Sequence, residues 1–166
     1  MSAIKDQLAD LIDYPLCTMN RNAIHTLEQF RQSPGSVLLA TGSVWEGFDF
    51  PGDCVSLLII PSLPFPRPDA MKEKERESYA TLRAYIQAVV VPEMQIKLKQ
   101  GFGRAIRTET DTCVIAILDD RASPGRRYHV YVTEALPKMP VTDSQRDVKN
   151  FIRDVKSNDY FAEDFS

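Results

Sequence analysis

Three apolar runs constrain this chain more than any other feature. They are Ser36-Val37-Leu38-Leu39-Ala40-Thr41, Cys54 to Ile60 and Thr112 to Leu118. None shows the strict polar alternation of a half-exposed strand, so each suits a parallel strand covered on both faces. Stretches of helical periodicity separate them. Ile4, Leu8, Leu11 and Ile12 recur at helical spacing over residues 3–13, and Tyr14-Pro15 ends that helix. Leu16 to Met19 reads as a short strand. Asn20 is placed to cap a second helix with Ala23, Ile24, Leu27 and Phe30 on its inner face. Ser33-Pro34-Gly35 forms a turn. After the second long run comes the proline-rich loop Pro61-Ser62-Leu63-Pro64-Phe65-Pro66-Arg67-Pro68. A helix starts near Asp69, Pro92 breaks it, and another runs to about Arg107. A last helix covers roughly Ser144 to Lys156. Helices alternating with buried strands predict an α/β fold, an open and mostly parallel sheet with helices on both faces. Its strands fall near 16–19, 36–41, 54–60 and 112–118.

The 166 residues suffice for one domain with a sizeable core. Lys and Arg number 20 against 23 Asp and Glu, a net charge of −3. Free-standing nucleic-acid binders are usually basic, so contact with nucleic acid here requires a local patch. Cys17, Cys54 and Cys113 form no CxxC pair, which suggests neither a zinc site nor a disulfide framework. Free thiols suit a reducing cytoplasm. The N-terminus carries acids where a signal peptide carries bases and an apolar core. No apolar stretch is long enough to span a bilayer, so no membrane partner is expected.

Two stretches carry chemistry. The first, Thr41-Gly42-Ser43-Val44-Trp45-Glu46-Gly47-Phe48-Asp49-Phe50, directly follows a buried strand. In open α/β sheets ligands bind beyond the carboxyl ends of the strands. Small residues let backbone N–H groups approach a phosphate, and one helical turn puts Glu46 and Asp49 on the same face. Local composition fits an ordinary strand-to-turn loop with solvated acids equally well. The second stretch is Gln100-Gly101-Phe102-Gly103-Arg104-Ala105-Ile106-Arg107. Arg104 and Arg107 are three apart and so share a helical face, and paired guanidiniums match a phosphoryl group in transfer. Solvated arginines favoured by the helix dipole account for the pair as well. Gly101 and Gly103 speak against that blander account, since glycine inside a helix costs about 1 kcal/mol relative to alanine.

Together these stretches resemble motifs V and VI of superfamily 2 helicases, the second in the form Q-x-x-G-R-x-I-R. The P-F-P loop between them, Asp119-Asp120-Arg121 after the last strand and then Ala135-Leu136-Pro137 narrow the likeness. The series is similar to the second helicase domain of the DinG/XPD-like family, over about Leu38 to Pro140. That resemblance implies a RecA-like domain facing a first one, with ATP in the cleft between them. It implies that Arg104 and Arg107 face the phosphates, Arg107 as arginine finger, with Gln100 and Gly103 positioning them. Glu46, Gly47 and Asp49 would lie on the nucleotide side, where Glu46 and Asp49 either face the nucleotide or couple it to DNA. Thr41, Gly42 and Ser43 would lie nearer the single-stranded DNA backbone. The convergence of Glu46, Asp49, Gln100, Arg104 and Arg107 at the carboxyl edge of the sheet is expected.

The departures bear on activity. The chain has no G-x-x-x-x-G-K-[ST] and no D-E-A-H-like stretch, so ATP and Mg²⁺ would be held by the N-terminal RecA-like domain of the same protein. The family's iron–sulfur cysteines would also lie outside this chain. The strand of motif IV, expected before the first helix, is missing. Residues 1–157 therefore read as a second RecA-like domain truncated at its N-terminus, and 158–166 as an acidic tail. The expectation is the C-terminal motor half of a cytoplasmic, ATP-dependent helicase of DNA repair, inactive alone. The rival is a non-catalytic nucleic-acid or protein-binding module derived from a helicase half.

Other features have plainer readings. His25 is a surface histidine. His129, in Tyr128-His129-Val130-Tyr131, either packs on the sheet or is exposed. Arg121, Arg126 and Arg127 resemble a phosphate patch, and a solvated loop is as good a reading. Lys72 to Glu77 alternates sign as a solvated helix face does. Trp45 and Phe48 read as core.

Overall fold

The computed structural model describes residues 2–19, 23–33, 35–41, 50 and 54–156. The chain divides into two compact units, Met1–Phe48 with Asn150–Ser166, and Asp49–Lys149.

In the first unit, α1 (Ser2–Ala9) leads to β1 (Leu16–Thr18), α2 (Ala23–Gln32) and β2 (Val37–Leu39). The strands run parallel with Leu16 opposite Val37 and Thr18 opposite Leu39. Both helices pack against β1, and Thr26 and Leu27 bury their side chains. Gly35 takes φ 70°, a left-handed conformation that glycine adopts without strain. It closes a turn in which the N–H of Ser36 donates to the Ser33 carbonyl at 3.2 Å. The proposed cap Asn20 lies outside the described residues.

Among the described residues, the second unit's first element is β3 (Leu57–Ile60), which pairs with β4 (Val114–Ile117), again parallel, Leu57 opposite Val114. Between them run α3 (Ala70–Glu77), α4 (Leu82–Tyr85), a π-turn over Ile86–Val90, and α5 (Val91–Ala105). A 3-10 turn (Asp120–Ala122) and α6 (His129–Ala135) follow, and α7 (Gln145–Val155) begins in this unit and ends in the first. Val91, Met94, Leu98, Gly101 and Ala105 repeat every three or four residues along α5 and form its buried stripe. Met94 and Leu98 are the most deeply buried large side chains. α6 packs on α5, and the Gln95 amide donates to the Tyr131 carbonyl at 2.9 Å.

The fold is α/β, parallel sheets flanked by helices, the open RecA-like class expected from the sequence. All four strands fall in the expected runs. Three details differ. β3 is not covered on both faces: Leu57 and Ile59 remain about half exposed while Ile60 is buried. Pro92 does not break a helix. The break comes at residues 78–81, where Ser78 caps α3 and Thr81 caps α4 by accepting from the Ala84 N–H at 3.1 Å. Pro92 sits in the first turn of α5, where its missing N–H costs nothing. The widened turn before it, in which the Val91 N–H reaches the Ile86 carbonyl, carries the helix through. α5 also ends at Ala105, not near Arg107, because Ile106 is extended at φ −130°, ψ 111°.

Candidate functional site

The helix end at residues 100–107 is built by the buried stripe of α5. Burying Leu98, Gly101 and Ala105 fixes the rotation of the helix, so Gln100 and Gly103 face outward. Gln100 and Arg104, four apart, are neighbours on that outer side, and Arg104 is half-buried. The two glycines differ. Gly101 lies on the core face. Gly103 faces open space, and a methyl group added there would meet no atom within 4 Å. Arg107 is exposed and lies beyond the helix, so Arg104 and Arg107 do not share a helical face. The Arg107 backbone N–H donates to Asp111 Oδ2 at 2.8 Å, as does that of Thr108 at 3.0 Å. Those bonds hold the Asp111 carboxyl below its usual range, the Arg107 N–H first.

This stretch leads into the amino end of β4. A different group of residues lies at the carboxyl ends of β3 and β4, while Glu46 and Asp49, with which Gln100, Arg104 and Arg107 are expected to converge, lie outside the described residues. Asp119 follows β4 with its side chain only 7% exposed. Its Oδ2 accepts from the Leu63 N–H at 2.8 Å and from Arg121 Nη2 at 2.6 Å, and its Oδ1 from Arg121 Nε at 2.9 Å. The Arg121 guanidinium above all, aided by the Leu63 and Arg121 N–H groups, holds the Asp119 carboxyl far below the ordinary carboxylate range despite its burial. Arg121 also lies 4.8 Å over the Phe65 ring, and Phe65 meets buried Tyr128 edge-on at 4.9 Å. The P-F-P loop is thereby pinned to the chain that leaves β4.

The three arginines read as a possible phosphate patch are each engaged. Arg121 pairs with Asp119, Arg126 with Asp120 at 3.3 Å, and Arg127 lies 5.3 Å over Tyr128. The charged face of α3 is largely solvated, yet Lys72 reaches Glu93 of α5 and so ties the two helices together. His25 is exposed. His129 opens α6 and its Nδ1 lies 3.0 Å from the Ala122 carbonyl.

Thr41 is exposed just beyond β2. Gly42, Ser43, Glu46, Gly47 and Asp49 lie outside the described residues, as do Trp45, Phe48 and the tail 158–166. Sequence reasoning gave Asp119 and Asp111 no role. The signal for Asp111 was present, an acid four residues after Arg107 in a Thr-rich turn. Asp119 was marked only as part of Asp119-Asp120-Arg121, and its Leu63 partner is 56 positions away. Among the described residues no His, Cys, Asp or Glu group is arranged to hold a metal ion. No helix among them is long and apolar enough to cross a membrane.

The helicase C-terminal domain family matches residues 2–139, which takes in both motif stretches and the P-F-P loop. The chain belongs to this family. As a helicase C-terminal domain, it is related to the DinG/XPD-like superfamily 2 helicases. It is 40% identical to an ATP-dependent DNA helicase, YoaA, of Haemophilus influenzae over 129 residues, 76% of this chain and 20% of that protein. It is 30% identical to the ATP-dependent helicase DinG of Mycobacterium tuberculosis over 154 residues, 91% of this chain and 23% of that protein. A 3'-5' exonuclease, DinG of Staphylococcus saprophyticus, is 33% identical over 149 residues, 88% of this chain and 16% of that protein. This helicase C-terminal domain thus spans about a fifth of the length of the relatives it matches.

Proposed function

We propose that this chain is the C-terminal motor half of an ATP-dependent DNA helicase. The observation that carries the reading is the pairing of family membership with the outer face of α5. There Gln100 and Gly103 are exposed at the helix end, and Arg104 and Arg107 stand beside and beyond them. Among the described residues nothing requires Gly103 to lack a side chain. A glycine retained at that cost suits close approach by something outside the chain.

In this reading ATP and Mg²⁺ sit on the N-terminal RecA-like domain of the same protein, and hydrolysis supplies the free energy of movement. Residues of this chain complete the site on closure. Arg107 serves as arginine finger and Arg104 as a second guanidinium on the phosphates. Gln100 and Gly103 set their approach, while Glu46, Gly47 and Asp49 face the nucleotide. Thr41, Gly42 and Ser43 contact the single-stranded DNA backbone. Electrostatic stabilisation of the phosphoryl group in transfer is the contribution of the arginines. Opening after hydrolysis shifts the grip on single-stranded DNA. Residues 1–157 act as the second RecA-like domain, and the chain alone is inactive because the phosphate cradle lies elsewhere.

DNA-stimulated ATPase assays on the full-length protein test this reading. Arg107→Ala is expected to lower kcat by about 10³–10⁵, the range for arginine fingers, with single-strand affinity retained. Wild-type turnover in that variant removes the assignment. Robust ATPase activity from the 166-residue chain alone overturns the half-site reading.

A further inference from the structure

Arg107 leaves α5 through an extended Ile106, so helical hydrogen bonding no longer fixes it. The residues after it do. Asp111 turns back on the segment, and its Oδ2 takes the N–H groups of Arg107 and Thr108 at 2.8 and 3.0 Å. Its Oδ1 accepts from Thr108 Oγ1 at 2.8 Å, and its own N–H donates to the Thr108 carbonyl at 3.3 Å. Thr108 Oγ1 lies 2.9 Å from Thr110 Oγ1, which closes the turn further. In a continuing helix the same two N–H groups would bond the carbonyls of Gly103 and Arg104. One carboxylate therefore does two things. It ends the helix by competing for its next donors, and it fixes the backbone from which Arg107 extends.

We propose that Asp111 is a positioning residue for Arg107, holding the arginine's backbone off the helix in the conformation that delivers its guanidinium. The proposal rests on the reading of Arg107 as arginine finger. Its physical basis is the steep dependence of catalysis on placement, where a shift of about 1 Å can cost about 10²-fold in rate. The same hydrogen bonds favour the ionised Asp111 carboxyl, whose Oδ2 is free to accept both backbone N–H groups. An exposed polar turn that merely joined α5 to β4 would need no such closure of the residue carrying the guanidinium.

The test is a double-mutant cycle on the full-length protein, read as DNA-stimulated ATPase, single-strand affinity and thermal midpoint. Asp111→Ala is expected to lower kcat by about 10–100-fold, as expected of misplacement rather than loss. KM for ATP, single-strand affinity and midpoint should stay near wild type. Asp111→Asn should recover most of that turnover, because the amide oxygen still accepts both backbone N–H groups while its NH₂ faces Thr108 Oγ1. In the Arg107→Ala background, Asp111→Ala should lower kcat no further. If Arg107→Ala keeps wild-type turnover, the finger reading itself falls. If Arg107→Ala collapses while Asp111→Ala turns over normally, or lowers the rate by the same factor in both backgrounds, positioning is overturned and the finger stands. A fall in kcat matched by falls in single-strand affinity and midpoint also overturns it, since that pattern belongs to a scaffold residue.

Discussion

The cluster of residues 62–65 with 119–128 and the helix end of residues 100–111 both adjoin β4, yet they are held in different ways. In the first, a carboxylate only 7% exposed gathers the guanidinium of Arg121, two positions on, and a backbone N–H from a loop 56 positions back, and Arg121 lies over one ring of an aromatic pair. In the second, a half-buried carboxylate gathers donors from three and four positions away, and the neighbouring Gln100 and Gly103 face outward. The first arrangement is closed upon itself. Its charges have partners and its rings have neighbours, so it holds the loop after β3 to the chain after β4. The second presents groups that the chain's own core does not use. A domain that must meet a partner surface needs both, a rigid floor and an edge left open.

The contrast breaks most sharply if the two arginines exchange phenotypes. Arg107→Ala should cost three to five orders of magnitude in kcat, about 4–7 kcal/mol of transition-state stabilisation, with the thermal midpoint unchanged. Arg121→Ala should do the reverse, leaving turnover per folded molecule within a few-fold while lowering stability. Asp119→Ala comes next. It leaves the Leu63 N–H and the Arg121 guanidinium without their acceptor, a loss of about 1.5–3 kcal/mol. Amide exchange at Leu63 should accelerate accordingly, by about 10–100-fold, and an unchanged rate would show that the cluster is not a lock.

The pH dependence sharpens the same point. Asp119 is held well below the ordinary carboxylate value of about 3.9. Its contribution is therefore fully present above about pH 4 and lost as the pH falls through the lower folded value. Wild type should lose stability more steeply than Asp119→Asn as the pH drops from 4 towards 2, measured by urea unfolding. Parallel curves would mean that Asp119 titrates alike in both states. The smallest effect concerns the open edge. Gly103→Ala should stabilise α5 by about 0.5–1 kcal/mol, since the added methyl meets nothing. It should nevertheless slow ATP turnover in the full-length protein. Faster or unchanged turnover would mean that nothing approaches Gly103 closely.

The strands were legible because a continuous apolar run has few alternatives in an α/β chain. β1, β2, β3 and β4 all fall inside the runs that announced them. Helix ends were less legible, since they depend on individual hydrogen bonds. α5 stops two residues early because Asp111 competes for the donors of Arg107 and Thr108. α6 was not anticipated, because Val130, Tyr131 and Val132 favour strands locally. Its packing on α5, with Gln95 bound to the Tyr131 carbonyl, overrides that preference. At the helix end the sequence showed which residues were present, and the structure showed that Arg107 stands off the helix. The Asp119–Arg121 pair is local, but its tie to Leu63 and Phe65 was illegible because only the pairing of β3 with β4 brings those residues to it.

The π-turn at Ile86–Val90 makes chain length and one ring a single trait. A π-turn is a helix carrying one surplus residue, and here it lies just ahead of Pro92, whose ring would collide with the carbonyl four positions back in an ordinary helix. Excising one residue at Ala88 would keep Tyr85 and Met94 in phase with the buried face but force that collision. Replacing Pro92 as well would relieve it. The shorter helix and the missing proline should thus be tolerated together and poorly apart, so an insertion and a substitution here would be inherited as a pair.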